Sequence, residues 1–134
     1  MADQPFDWSE YLKLAQELAE RTEEACLRSS LSGAYYYVFN LALTRAERNG
    51  FVSVQGESTH VQLWRLFSQS PEPECIYLGQ IALRLKEKRE KANYRPVYRR
   101  IEEEVPQVLS EAQDFAARLA RLAPRHPNPA SVRR

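Results

Sequence analysis

The chain has almost no net charge. Nineteen Lys and Arg stand against eighteen Asp and Glu, leaving +1. Nothing in that total demands a nucleic-acid or anionic-membrane partner. Cysteine is equally scarce: Cys26 and Cys75 are too few for a disulfide scaffold and read as reduced, packed thiols. With two histidines, His60 and His126, neither His nor Cys recurs at ligand spacing, and no metal site is expected. There is no glycine-rich phosphate loop, no nucleophile elbow and no His-Glu-x-x-His, so no cofactor is expected either. No apolar run approaches the roughly 20 residues that span a bilayer. The opening Met-Ala-Asp-Gln-Pro lacks the basic region and apolar core of a signal peptide. The expected location is the cytoplasm, away from any membrane.

What is present is helical pattern. At 134 residues, 43% hydrophobic and 28% charged, the chain suits a single soluble domain. Asp7 is a natural N-cap before Trp8, Tyr11, Leu12, Ala15, Leu18 and Ala19, which share one helical face. A second helix is predicted from Glu24 to Glu47, with core stripe Leu27, Leu31, Ala34, Val38 and Leu41 and a stop at Asn49-Gly50. Phe51 to Thr59 reads as a loop. A short third helix carries His60, with Thr59 as cap, then Leu63, Trp64 and Phe67. A fourth runs from Glu74 to Tyr94, ending before Pro96. A fifth runs to Leu122 with Ile101, Val105, Val108, Ala112 and Phe115 inward. Pro106 predicts a kink or a fresh first turn there. From Ala123 onward the periodic pattern gives way to prolines, small residues and arginines, predicting a disordered basic tail over 123–134.

One residue breaks the pattern. The inward stripe of the fourth helix reads Leu78, Ala82, Leu85, Arg89, Ala92. A guanidinium stays charged, so burying it requires acceptors. Either the bundle opens there and Arg89 reaches water along its stem, or Arg89 sits in a partly enclosed polar pocket. The second helix offers partners in a row of Ser29, Gly33, Tyr36 and Asn40, with Ser32, Tyr35 and Phe39 beside it. Tyr36 and Asn40 are the expected partners, whereas Tyr35 and Tyr37 read as core aromatics with hydroxyls reaching the surface. Gly33 costs roughly 1 kcal/mol against alanine in a helix and suggests close approach of another element. Between Arg84 and Arg100 lies a basic stripe, including Lys88, Lys91 and Arg95, with Tyr94 and Tyr98 interleaved. Such a stripe suits single-stranded RNA, and it also describes a solvated helix face.

Three elements in order resemble the small helical domains called HEPN (higher eukaryotes and prokaryotes nucleotide-binding). They are Arg28, Ser32, Ala34, Tyr35, Tyr36 and Phe39 in one helix, then His60, then Arg89, Ala92 and Tyr94. Gly33 and Asn93 depart from the arginine and aspartate usual in that family. The resemblance implies an all-α, five-helix antiparallel bundle over residues 1–122, dimerising through its second and fourth helices. Catalytic members carry Arg-x4–6-His at the position of Arg89 and cleave RNA without metal. No histidine follows Arg89 at that distance. Arg121 and His126 satisfy the spacing, but Pro124 lies between them and both fall at the tail, so the match reads as coincidence.

The expected function is therefore a noncatalytic RNA- or nucleotide-binding or assembly module. The resemblance implies a prokaryotic defence or toxin–antitoxin setting. The expected binding residues are Ser32, Tyr36, Lys88, Lys91 and Arg95, and the expected partners are RNA, a second copy or another helical protein. One alternative is a metal-independent endoribonuclease using Arg89, Tyr94, His60 and Asn40 in an unusual constellation. The other is a structural subunit of a larger complex.

Overall fold

The computed structural model describes residues 4–131. They form five α-helices and, among the described residues, no strand: α1 (Ser9–Ala19), α2 (Glu24–Arg48), α3 (Thr59–Ser68), α4 (Pro73–Tyr94) and α5 (Ile101–Arg121). A single 3-10 turn, Pro129–Ser131, follows. Among the described residues no helix is long and apolar enough to cross a membrane.

The helix ends follow local chemistry. The Asp7 carboxylate accepts from the Ser9 backbone at 3.0 Å and from its hydroxyl at 2.7 Å, opening α1. At the far end of α2, Gly50 takes φ +98°, and Phe51 donates its amide back to the Ala46 carbonyl at 3.0 Å. The cap of α3 is Ser58, not Thr59: its hydroxyl accepts from the His60 amide at 3.1 Å. Pro73 occupies the first turn of α4, where its missing N–H is not needed. Of the kink or fresh first turn expected at Pro106, the fresh turn does not occur. α5 begins at Ile101 and continues through the proline, its opening turn anchored by Ile101 and Val105, both 1% exposed.

α2 is the spine. α1, α4 and α5 all pack on it, and α3 packs on α4. Leu27, Leu31, Ala34 and Val38 are buried as the periodicity predicts, while Leu41 is only half-buried and Ala42 occupies the core. Around them lie Trp64, Phe67, Leu78, Leu85 and Phe115, all essentially inaccessible. Two glycines sit at helix contacts. A Cβ on Gly33 would meet the Ala15 Cβ at 3.5 Å, ordinary contact, whereas one on Gly79 would meet the Phe67 Cβ at 3.3 Å and the Ser68 hydroxyl at 3.1 Å. The close approach thus occurs at α3 and α4, through Gly79.

The expectation of a disordered tail from Ala123 needs correction for residues 123–131. Arg45 of α2 donates to the carbonyls of Leu119 at 2.7 Å and His126 at 3.0 Å. Asn49 donates to those of Pro124 at 3.1 Å and Pro127 at 2.9 Å. Pro127 is buried. Side chains at the end of α2 and at its C-cap thereby satisfy carbonyls of a segment whose own regular structure is one 3-10 turn. The remaining tail residues, 132–134, lie outside the described residues.

Candidate functional site

Where α2, α3 and α4 meet, a chain of hydrogen bonds runs from Trp64 through Tyr35 to His60. The indole N–H of Trp64 donates to the Tyr35 hydroxyl at 2.9 Å. That hydroxyl lies 2.6 Å from His60 Nδ1. Tyr35 already accepts from the indole and has its own proton left to give. With Tyr35 donating to Nδ1, the imidazole proton is assigned to Nε2. The Tyr35 hydroxyl is therefore directed inward to His60 and Trp64 rather than to the surface. Burial pushes its pKa well above the ordinary tyrosine range. The His60 ring lies stacked on Phe39, centroids 3.9 Å apart. Burial, then the positive charges of Arg89 and Lys86, hold its pKa below the ordinary 6.5.

Arg89 borders this cluster. Its guanidinium lies over the rings of Tyr35 and Tyr36, 5.4 and 5.5 Å from their centroids. Its Nη1 donates to the Tyr36 hydroxyl at 3.4 Å, and its Nε is buried without a hydrogen-bond partner. The expected Tyr36 contact is present. The expected Asn40 contact is not: the Asn40 amide donates to the Tyr36 carbonyl of its own helix at 2.8 Å. Tyr94 stands apart, 75% exposed, at a shallow 380 Å³ hollow that it shares with Arg89, Lys91 and Arg95. The four residues expected to form a catalytic constellation are thus split. His60 and Arg89 share the aromatic cluster, Asn40 is turned onto its own helix, and Tyr94 faces water.

A second feature is larger. α1, α2 and the end of α4 enclose a 640 Å³ groove. One wall is apolar, made by Trp8 at the cap of α1 and by Tyr11, Leu14 and Leu18 within it. The other side is small and uncharged, with Ser29, Ser32, Gly33, Tyr36 and Asn40 of α2 and Asn93 of α4. Three of the sequence-selected residues, Ser32, Tyr36 and Asn40, therefore meet here. The α1–α2 contact beneath is fastened by buried Ser30, whose hydroxyl donates to the Ala15 carbonyl at 2.6 Å. The groove's one cation, Arg28, is engaged elsewhere. Its Nε pairs with Glu24 at 2.8 Å, and Nη1 and Nη2 donate to the carbonyls of Ala92 at 3.0 Å, Arg95 at 2.5 Å and Pro96 at 3.2 Å. Arg28 is thus the C-terminal cap of α4, favoured by the negative end of the helix dipole.

The basic stripe is largely paired off. Lys88 binds Glu104 at 2.7 Å, and the same carboxylate accepts from the Tyr98 hydroxyl. Lys91 lies 5.4 Å from the Tyr98 ring centroid. Lys86 pairs with Glu90, Arg84 with Glu111 and Arg100 with Glu103. Of the stripe, only Arg95 and Arg99 have neither an ion-pair nor a ring partner among the described residues. Elsewhere, the docked segment 123–131 brings His126 to a 410 Å³ hollow that Arg121 and Arg125 also line. There His126 Nε2 lies 3.8 Å from the Glu72 carboxylate. Arg121 ends α5 and His126 lies in the docked segment, so neither stands in a disordered tail, although Pro124 does lie between them. Among the described residues no three His, Cys, Asp or Glu converge as a metal site.

Comparisons with models of protein families, with curated proteins and with solved structures found no match.

Proposed function

We propose that this chain is a noncatalytic binding and assembly module on a HEPN-like bundle, serving a prokaryotic defence or toxin–antitoxin system. The setting rests on the sequence resemblance alone. The observation that carries the noncatalytic reading is the occupied state of His60. Its Nδ1 lies 2.6 Å from the Tyr35 hydroxyl, which also accepts from the Trp64 indole, so this nitrogen is engaged within the cluster and is not turned to a substrate hydroxyl. Tyr94 is 75% exposed and stands apart from His60 and Trp64.

Two further observations favour assembly with a protein over binding of RNA. Phosphate recognition needs free cations, and Lys88 and Arg28 spend theirs inside the molecule. The 640 Å³ groove has an apolar wall and a single cation, Arg28, that is already neutralised by Glu24, a surface suited to another protein. Copurification of the full chain from its native host, with protein and RNA identification, tests this. A protein partner in constant ratio is expected. Elution with RNA alone, stripped by salt, would overturn the preference for protein.

A second reading is a metal-independent endoribonuclease, favoured by one observation: Arg121 and His126 line the same hollow. Such an enzyme would use His126 for proton transfer and Arg121 to stabilise charge on the phosphate.

A further inference from the structure

We propose that the groove between α1 and α2 seats an amphipathic helix of a partner protein, carrying an apolar seam and basic residues along one edge. This rests on the assembly reading above and names the partner's chemistry. The groove has the length of a helix face. From Trp8 to Leu18 its apolar wall covers nearly three turns, about 15 Å at 1.5 Å per residue. The opposing side repeats Ala25, Ser29, Ser32, Tyr36 and Asn40 at steps of three and four. Two adjacent helices with such rows present parallel ridges and a trough that a third helix can enter. Gly33, Ser29 and Ser32 leave the trough floor low. Leu14, 52% exposed, stands on its wall.

Charge selects among occupants. The one cation in the lining, Arg28, is neutralised by Glu24 and spent on three carbonyls, so the trough offers no charge to hold a small anion. Its outer α1 edge is different. Glu10 and Glu17 are two turns apart, flanking Leu14, with Lys13 between them and no ion pair to any of the three among the described residues, which leaves this edge acidic by one charge. The opposite edge ends in uncharged Asn93. An entering helix is therefore matched by lysine or arginine on its α1 side only, with leucine-sized residues at i, i+3, i+4 and i+7 between the walls.

Two helical peptides of about 14 residues serve as probes. Both carry that leucine seam, one with a lysine edge and one with a glutamate edge. Trp8 fluorescence and calorimetry read binding; Trp64, deep in the core, does not respond. The lysine-edged peptide is expected to bind about tenfold more tightly than the glutamate-edged one, the size of two exposed ion pairs. Leu14→Glu, at a position the fold does not need, is expected to abolish binding with circular dichroism unchanged. The double change E10K/E17K is expected to invert the preference between peptides. Three results overturn the proposal: no binding of either peptide, equal binding of both that survives L14E, or a wild-type dimer that L14E dissociates. The last would mean that a second copy fills the trough. RNA cleavage by the chain would sink the noncatalytic reading while leaving these outcomes as they stand.

Discussion

Removing one oxygen tests the aromatic cluster. In Tyr35→Phe the ring remains, so packing against Phe39, Trp64 and His60 is kept. The indole N–H of Trp64, whose residue is 1% exposed, loses its acceptor and water cannot replace it. An unsatisfied buried donor costs about 1–3 kcal/mol. His60 is half-buried and finds water more easily, so its share is smaller. In a domain of this size the loss corresponds to a Tm lowered by about 3–15 °C.

The same substitution moves a titration. The Tyr35 proton can be accepted only by neutral His60, so the bond adds to burial and to Arg89 in favouring the uncharged ring. The pKa of His60 is expected to rise in Tyr35→Phe, read by NMR titration with His126→Asn identifying the signals. Because the folded pKa is depressed, the unfolded chain takes up the proton first as pH falls. Stability from this group is complete above pH 6.5, the ordinary value, and declines below it toward the folded value. In the variant that decline is shallower. A variant that melts within about 1 °C of the wild type, or whose His60 titrates unchanged, refutes the hydrogen-bond chain.

The glycines separate by sign. Gly33→Ala is expected to stabilise by up to about 1 kcal/mol, because the added methyl meets ordinary contacts and the helix gains propensity. Gly79→Ala is expected to destabilise, since Phe67 is locked in the core and cannot retreat; urea unfolding measures both. Truncation after Leu122 takes the His126 carbonyl from Arg45, which keeps that of Leu119, and both acceptors from Asn49; it is expected to lower Tm by several degrees, at about 1.5–3 kcal/mol for the hydrogen bond to the charged group. An unchanged Tm would mean that the segment does not hold to α2.

Helix bounds were legible where local chemistry sets them. Asp7, Asn49-Gly50 and Pro96 act within a few residues of the ends they define. The core stripe of α2 was legible for the same reason, because burial repeats with the helical period. Arg89 stood out because it interrupts such a period, and Tyr36 is indeed beside it. What could not be read were side chains acting at long range on backbone groups. Arg45 and Asn49 look like ordinary last-turn polar residues, yet they hold a segment more than 70 residues away. Asn40 has the spacing to reach Arg89, but spacing does not reveal that its amide bonds its own helix. Lys88 belongs to a basic run in sequence and to Glu104 in space. Gly33 drew notice beside conspicuous tyrosines, although the tight contact is at Gly79.

The noncatalytic reading is tested most directly by incubating the purified wild-type chain with labelled single-stranded RNA, with and without a chelator. Arg89→Met and His126→Ala run alongside. Arg89→Met keeps volume and removes a charge held mainly over two rings, so its fold is expected to survive. The account predicts no cleavage by any of the three proteins under either condition. Reproducible, chelator-resistant cleavage by the wild type would contradict it. Loss of that cleavage in His126→Ala would assign it to the Arg121 hollow, and loss in Arg89→Met to the aromatic cluster.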